Sequence, residues 1–102
     1  MEDVHPLPST NQAAYPVHDP NTDERYQRWI GLSPREQDVT ALACLRYTNP
    51  QIAARLGLSV GTVRSYLEKV LNKLGLQSKA DLRVFFAAWD FSEFERRQDP
   101  HR

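Results

Sequence analysis

Several features are scarce in this chain of 102 residues. It has one cysteine, Cys44, so it cannot form a disulfide framework, and a reducing cytoplasm is the simple compartment for it. No apolar run approaches the ~18 residues that a membrane span requires. The opening Met1-Glu2-Asp3-Val4-His5 is acidic and leads into no apolar stretch, unlike a secretory signal. Histidine occurs only at His5, His18 and His101, with no metal-ligand spacing. There is no glycine-rich phosphate loop and no Cys/His or Ser/His/Asp arrangement, so neither catalysis nor a cofactor is expected. Net charge is also absent, since 13 Lys and Arg balance 13 Asp and Glu. Taken alone, that balance argues against a nucleic-acid partner.

The distribution of charge reverses that argument. Residues 33–79 hold seven bases against three acids, a net of +4, whereas residues 1–32 hold five acids against two bases. The positive charge is therefore concentrated in the middle of the chain. The length suits one domain and leaves no room for a second of ordinary size, so a sensing domain is expected to be absent or on another chain. Apolar residues make up 40% and charged residues 25%, enough for a folded core. The mean hydropathy of -0.62 implies much polar surface or an unfolded tail.

Residues 1–31 read as an acidic arm, disordered or extended, with Pro6, Pro8, Pro16 and Pro20 and no sustained period. It lacks Lys and Arg before Arg25, which excludes a minor-groove arm and leaves a linker, a shield over the basic face or a segment that binds a protein partner. A short helix is expected at its end, capped by Thr22, with Tyr26, Trp29 and Ile30 on one face and Gly31 as the stop. Residues 32–91 read as an all-α domain of four helices, and 92–102 as a tail. Ser33-Pro34-Arg35-Glu36 has the grammar of a capping box with proline in the first turn. Asn49-Pro50 repeats cap plus proline. Ser59 opens a helix over 59–74 with Val63, Leu67, Val70, Leu71 and Leu74 on one face, closed by Gly75. Ser78-Lys79-Ala80-Asp81 opens a fourth helix, expected to run through Trp89 or beyond.

The stretch 49–66 has helix-turn-helix spacing. Ala53 is small where a second helix crosses it, Gly57 can take positive φ at the turn, and Leu58 and Val63 fill the angle over Ile52 and Leu56. A helix held in this way projects its N-terminal end and outer face, and such a helix fits the major groove of B-DNA. An ordinary corner in a helical bundle shares the small residues and the glycine. The outer face here, however, carries Thr62, Arg64, Ser65, Lys69, Asn72 and Lys73, which are donors to phosphates and base edges.

Leu32-Ser33-Pro34-Arg35-Glu36, Thr48-Asn49-Pro50-Gln51-Ile52-Ala53, Thr62-Val63-Arg64 and Lys73-Leu74-Gly75-Leu76-Gln77-Ser78-Lys79, in this order, resemble the LuxR-type (GerE-like, NarL/FixJ) DNA-binding domain. The resemblance covers about residues 32–90. It implies a transcription regulator that binds duplex DNA, usually as a dimer through the fourth helix. It places Arg64 and Ser65, with Glu68, at base-reading positions. It places Asn49, Thr62 and Lys73 near phosphates, with Ser78 and Lys79 within reach of the backbone, and the exposed-face donor Lys69 is a further phosphate candidate.

Four residues depart from that family's pattern. Arg46 stands where glycine usually ends the first helix, Pro50 replaces a common lysine, and Tyr66 replaces a common histidine. Glu68 stands where a basic residue is often found. It can accept from cytosine N4, or it can be a solvated partner of Arg64 or Lys69. Two rival readings remain. Residues 59–65 also resemble the promoter-reading region of sigma factors, though the capped helix after Gly75 favours the LuxR type. An anti-activator or other protein-interaction module would instead exploit the acidic arm and Glu68. On the fourth helix Leu82, Phe85, Phe86 and Trp89 share the core face, and Val84, Ala88 and Phe91 fall opposite. The second stripe is the expected homodimer face, unless the segment around Tyr26 and Trp29, or Phe91 and Phe94, folds back to cover it.

Overall fold

Each of the four central helices begins where a serine or threonine hydroxyl accepts an otherwise unpaired backbone N–H. The computed structural model describes residues 22–97. The expectations for residues 1–21 and 98–102, including a partner-binding role for the arm, lie outside that range. Helices run α1 Thr22–Ile30, α2 Pro34–Cys44, α3 Asn49–Leu56, α4 Val60–Leu74, α5 Lys79–Phe85 and α6 Ser92–Arg97, with no strand among the described residues. The expected all-α helix-turn-helix unit is α2 to α5, and two further helices extend it.

Ser33 and Glu36 close the expected capping box on α2, with Ser33 N–H donating to Glu36 Oε1 at 2.8 Å. On α3 the cap is Thr48 rather than Asn49. Its hydroxyl accepts from Gln51 N–H while Gln51 Oε1 accepts from Thr48 N–H. The box spacing of three residues decides this, since it pairs Thr48 with Gln51 and leaves Asn49 as the first helical residue. Ser59 and Ser78 cap α4 and α5 as expected.

Three helices end alike, on a residue in the left-handed region. At Gly57 (φ 70) Leu58 N–H bonds back to Ala53 O, and at Gly75 (φ 71) Leu76 N–H bonds back to Leu71 O, both at 2.9 Å. At the end of α2 the same geometry falls on Arg46 (φ 73), with Tyr47 N–H on Leu42 O at 3.1 Å and Arg46 N–H on Ala43 O at 3.0 Å. The backbone keeps the conformation that glycine serves best and accepts a Cβ there.

The core continues beyond the four expected helices. Helix α5 stops at Phe85, short of Trp89, and the chain tightens through Ala87 N–H to Val84 O and Trp89 N–H to Phe86 O. That turn swings Trp89 and Phe91 onto Trp29. The Trp29 ring lies 5.5–5.8 Å from those of Phe86, Trp89, Phe91 and Phe94, three of the four edge-on. Edge-on pairs match the positive edge of one ring to the negative face of the next. Residues 92–97, expected as tail, form α6, and Phe94 is buried. Phe91, expected on the dimer face, is 3% exposed and belongs to the chain's own core. The expected stripe presumed an unbroken helix, and the break at Phe85 removes that premise.

The flanking helices are also held by side chains. Arg25 donates to Phe85 O at 2.7 Å and lies over the Phe85 ring, and Arg28 donates to Leu74 O at 3.1 Å. On the other side Tyr47 donates to Glu95, and Arg55 stacks on Tyr47 while reaching Glu95 O. Among the described residues no helix is long and apolar enough to cross a membrane.

Candidate nucleic-acid interface

Helix α4 has two faces with different chemistry. Val63, Leu67, Val70 and Leu74 are buried. Gly61, Arg64, Ser65, Glu68 and Asn72, three and four residues apart, are exposed along the opposite side. Helices α2 and α3 both pack against the inner face. Ile52, Ala53 and Leu56 of α3 are buried, and Leu58 in the turn is half-buried, as the spacing predicts. Ala53 is buried on α3, which packs against α4, and the left-handed Gly57 turn separates the two helices. The N-terminal end and outer face of α4 therefore project into solvent.

The base-reading candidates Arg64, Ser65 and Glu68 are all exposed on this face. Neither Arg64 nor Glu68 joins an ion pair among the described residues, so the pairing of Glu68 with Arg64 or Lys69 considered for the sequence does not form. Thr62 lies at the helix start. Its hydroxyl oxygen accepts from Ser59 at 2.9 Å, which leaves its own O–H hydrogen for another acceptor. Lys69 is exposed.

The remaining phosphate candidates are engaged within the chain. Lys73 donates to Glu36 Oε1 at 2.7 Å and so ties the last turn of α4 to the first turn of α2. Burial pushes the Glu36 carboxyl up, but hydrogen bonds from Lys73 and Ser33, with the Lys73 charge, outweigh it and hold the group below its ordinary value of 4.5. Lys79 donates to Tyr47 O at 3.0 Å and to Asn49 Oδ1 at 2.9 Å, joining the start of α5 to the start of α3. This pairing turns the Asn49 amide so that its NH₂ stays free to donate. Burial, helped by the Arg83 charge, lowers the Lys79 pKa. The Ser78 hydroxyl accepts from Asp81 N–H as a cap. The second role of Glu36, as the anchor of Lys73 from 37 positions away, has no local signal in the sequence.

Residues 31–86 match the family described as bacterial regulatory proteins, luxR family. The chain belongs to that family. Its luxR-type unit is thus a DNA-binding helix-turn-helix of transcription regulators. Similar curated proteins include the HTH-type transcriptional activator RamA of Corynebacterium glutamicum, 40% identical over 58 residues that are 57% of this chain and 21% of that protein. Nodulation protein W of Bradyrhizobium diazoefficiens is 47% identical over 51 residues, 50% of this chain and 22% of that protein. The oxygen regulatory protein NreC of Staphylococcus aureus is 41% identical over 51 residues, 50% of this chain and 24% of that protein. The match thus spans about a fifth to a quarter of these relatives' length. No solved structure matched the chain. The family, RamA and NreC are all described as regulatory or activator proteins.

Within this luxR-type chain, α1 and α6 lie outside the matched stretch, so the Trp29 cluster is built largely from its flanks. Of the expected dimer face, Val84 is 73% exposed and Ala88 is exposed. Val84 lines a shallow depression with Arg25, Leu76, Asp81 and Phe85. Cys44 takes no part in either surface. Burial, opposed by Arg83, pushes its thiol up to about 12, away from thiolate chemistry.

Proposed function

We propose that this chain binds duplex DNA sequence-specifically, laying α4 in the major groove, and thereby regulates transcription in the cytoplasm. The observation that carries this reading is the outer face of α4. Arg64 and Ser65 stand exposed there on a helix whose other face is locked into the core. Arg64, Ser65 and Glu68 meet base edges. Thr62 and Lys69 meet phosphates directly. Asn49, Lys73, Ser78 and Lys79 reach the backbone with the donor hydrogens that their internal bonds leave over. Two copies join through Val84 on α5 and Ala88 in the turn that follows it, which supports a pseudo-palindromic site.

Titration of duplex DNA at two salt concentrations tests the reading. Phosphate contacts release counterions, so affinity falls steeply as salt rises. Arg64→Ala relaxes sequence preference at one position per half-site, because a bidentate arginine–guanine pair contributes ~1–3 kcal/mol of discrimination. Salt-insensitive binding, or an unchanged site preference in Arg64→Ala, refutes it.

A further inference from the structure

We infer that Glu68 is a specificity-determining residue that selects cytosine in the major groove beside the base pair read by Arg64. The inference rests on the reading of α4 as the DNA-reading helix.

Glu68 lies on the exposed line of α4 one turn beyond Arg64 and Ser65 and one turn before Asn72. It makes no hydrogen bond or ion pair among the described residues. The order of the two charges explains why. With the cation four residues N-terminal to the anion, Arg64 and Glu68 adopt the weaker of the two orientations for such a pair. Glu68 also lines a shallow depression with Leu71, Asn72, Leu76 and Gln77, none of them cationic, and the neighbouring Lys69 forms no ion pair with it. The carboxylate is therefore not consumed by the protein and faces whatever lies against α4.

Chemistry then narrows what it accepts. A carboxylate is an acceptor only. In the major groove guanine offers two acceptors, and thymine an acceptor and a methyl group. Adenine offers a donor beside an acceptor. Cytosine alone offers its N4 donor with no acceptor next to it. A carboxylate held against the base edges is thus repelled by guanine and thymine, compromised at adenine and satisfied at cytosine. It also stands between two rows of phosphates and weakens binding to every sequence, so its contribution is contrast rather than affinity. Four residues of α-helix advance ~6 Å along the axis. Base pairs repeat every ~3.4 Å. Arg64 and Glu68 therefore address base pairs no more than about two steps apart, and the site contains a guanine read by Arg64 with a cytosine one or two steps away.

The test is selection of bound sequences from a random duplex pool by the full chain, by Glu68→Gln and by Glu68→Ala, with affinity measured on the selected and on a scrambled duplex. Glu68 is exposed, and circular dichroism confirms that each variant folds. The parent is expected to prefer cytosine about five- to tenfold at one position near the Arg64-dependent guanine, the low end of what one good base contact gives. Glu68→Gln moves that position to adenine, whose N6 and N7 an amide matches bidentately. Glu68→Ala flattens it and binds the scrambled duplex more tightly than the parent does. If all three proteins select the same sequence, and the variants bind every duplex tighter by one common factor, Glu68 is only a solvated charge and the inference is overturned while the reading of α4 stands. A parent that enriches no sequence overturns both.

Discussion

Replacing Arg46 with glycine should stabilise the protein, although it removes a whole side chain. Arg46 occupies φ 73 at the end of α2, where Gly57 and Gly75 end α3 and α4 at φ 70 and φ 71. A Cβ in the left-handed region costs roughly 1–2 kcal/mol. Glycine removes that strain but loses more freedom on folding, an offset of roughly 0.5–1 kcal/mol. The Arg46 side chain is exposed and makes no hydrogen bond or ion pair among the described residues, so little else is lost. The net gain is about 0.5–1 kcal/mol, a rise in thermal midpoint of roughly 2–8 °C for a domain of this size. Arg46→Ala is the control, because it deletes the same side-chain atoms beyond Cβ while retaining the strained Cβ. Gly57→Ala is the converse: nothing lies within 4 Å of the added Cβ, so its loss of roughly 1 kcal/mol reports backbone strain alone. Calorimetry or urea titration of the four proteins reads the pattern. If Arg46→Gly is no more stable than Arg46→Ala, or if Gly57→Ala melts with the parent, the conformational argument fails.

Three other outcomes follow from the packing. Trp29→Ala removes the ring on which four aromatic side chains converge and should destabilise by roughly 3–5 kcal/mol. A loss below ~1 kcal/mol in urea titration would mean that α1 is not part of the folding unit. The Glu36 carboxyl is held below its ordinary value, so its contribution to stability is complete above pH 4.5 and is lost as pH falls through its lower folded value. Glu36→Gln should therefore be less stable at neutral pH and show a flatter acid limb, and parallel urea midpoints for the two proteins from pH 7 to about 3 would contradict this. Val84→Glu should abolish a dimer without unfolding the chain, since Val84 is exposed. Sedimentation with and without DNA checks this, and a monomeric parent that binds as the variant does removes the dimer.

Whatever depends on residues within a turn of one another is legible in the sequence. Serine or threonine caps, a box partner three residues on and a closing glycine mark where α2 to α5 begin and where α3 and α4 stop. The 3.6-residue period assigns Val63, Leu67, Val70 and Leu74 to the inner face of α4 and leaves Arg64, Ser65 and Glu68 outside. Even the strained Arg46 was legible, as a side chain where the family has glycine. The tertiary structure decided what depends on partners far along the chain. A helical wheel assumes that the helix continues, so it set Phe91 opposite the core. Once α5 ends at Phe85, Phe91 turns inward to Trp29, 62 residues earlier in the sequence. The pairing of Lys73 with Glu36 and of Lys79 with Asn49 likewise arises where separate helices meet. Local chemistry sets which side chains can donate and accept, but burial and pairing are settled only when one helix covers another.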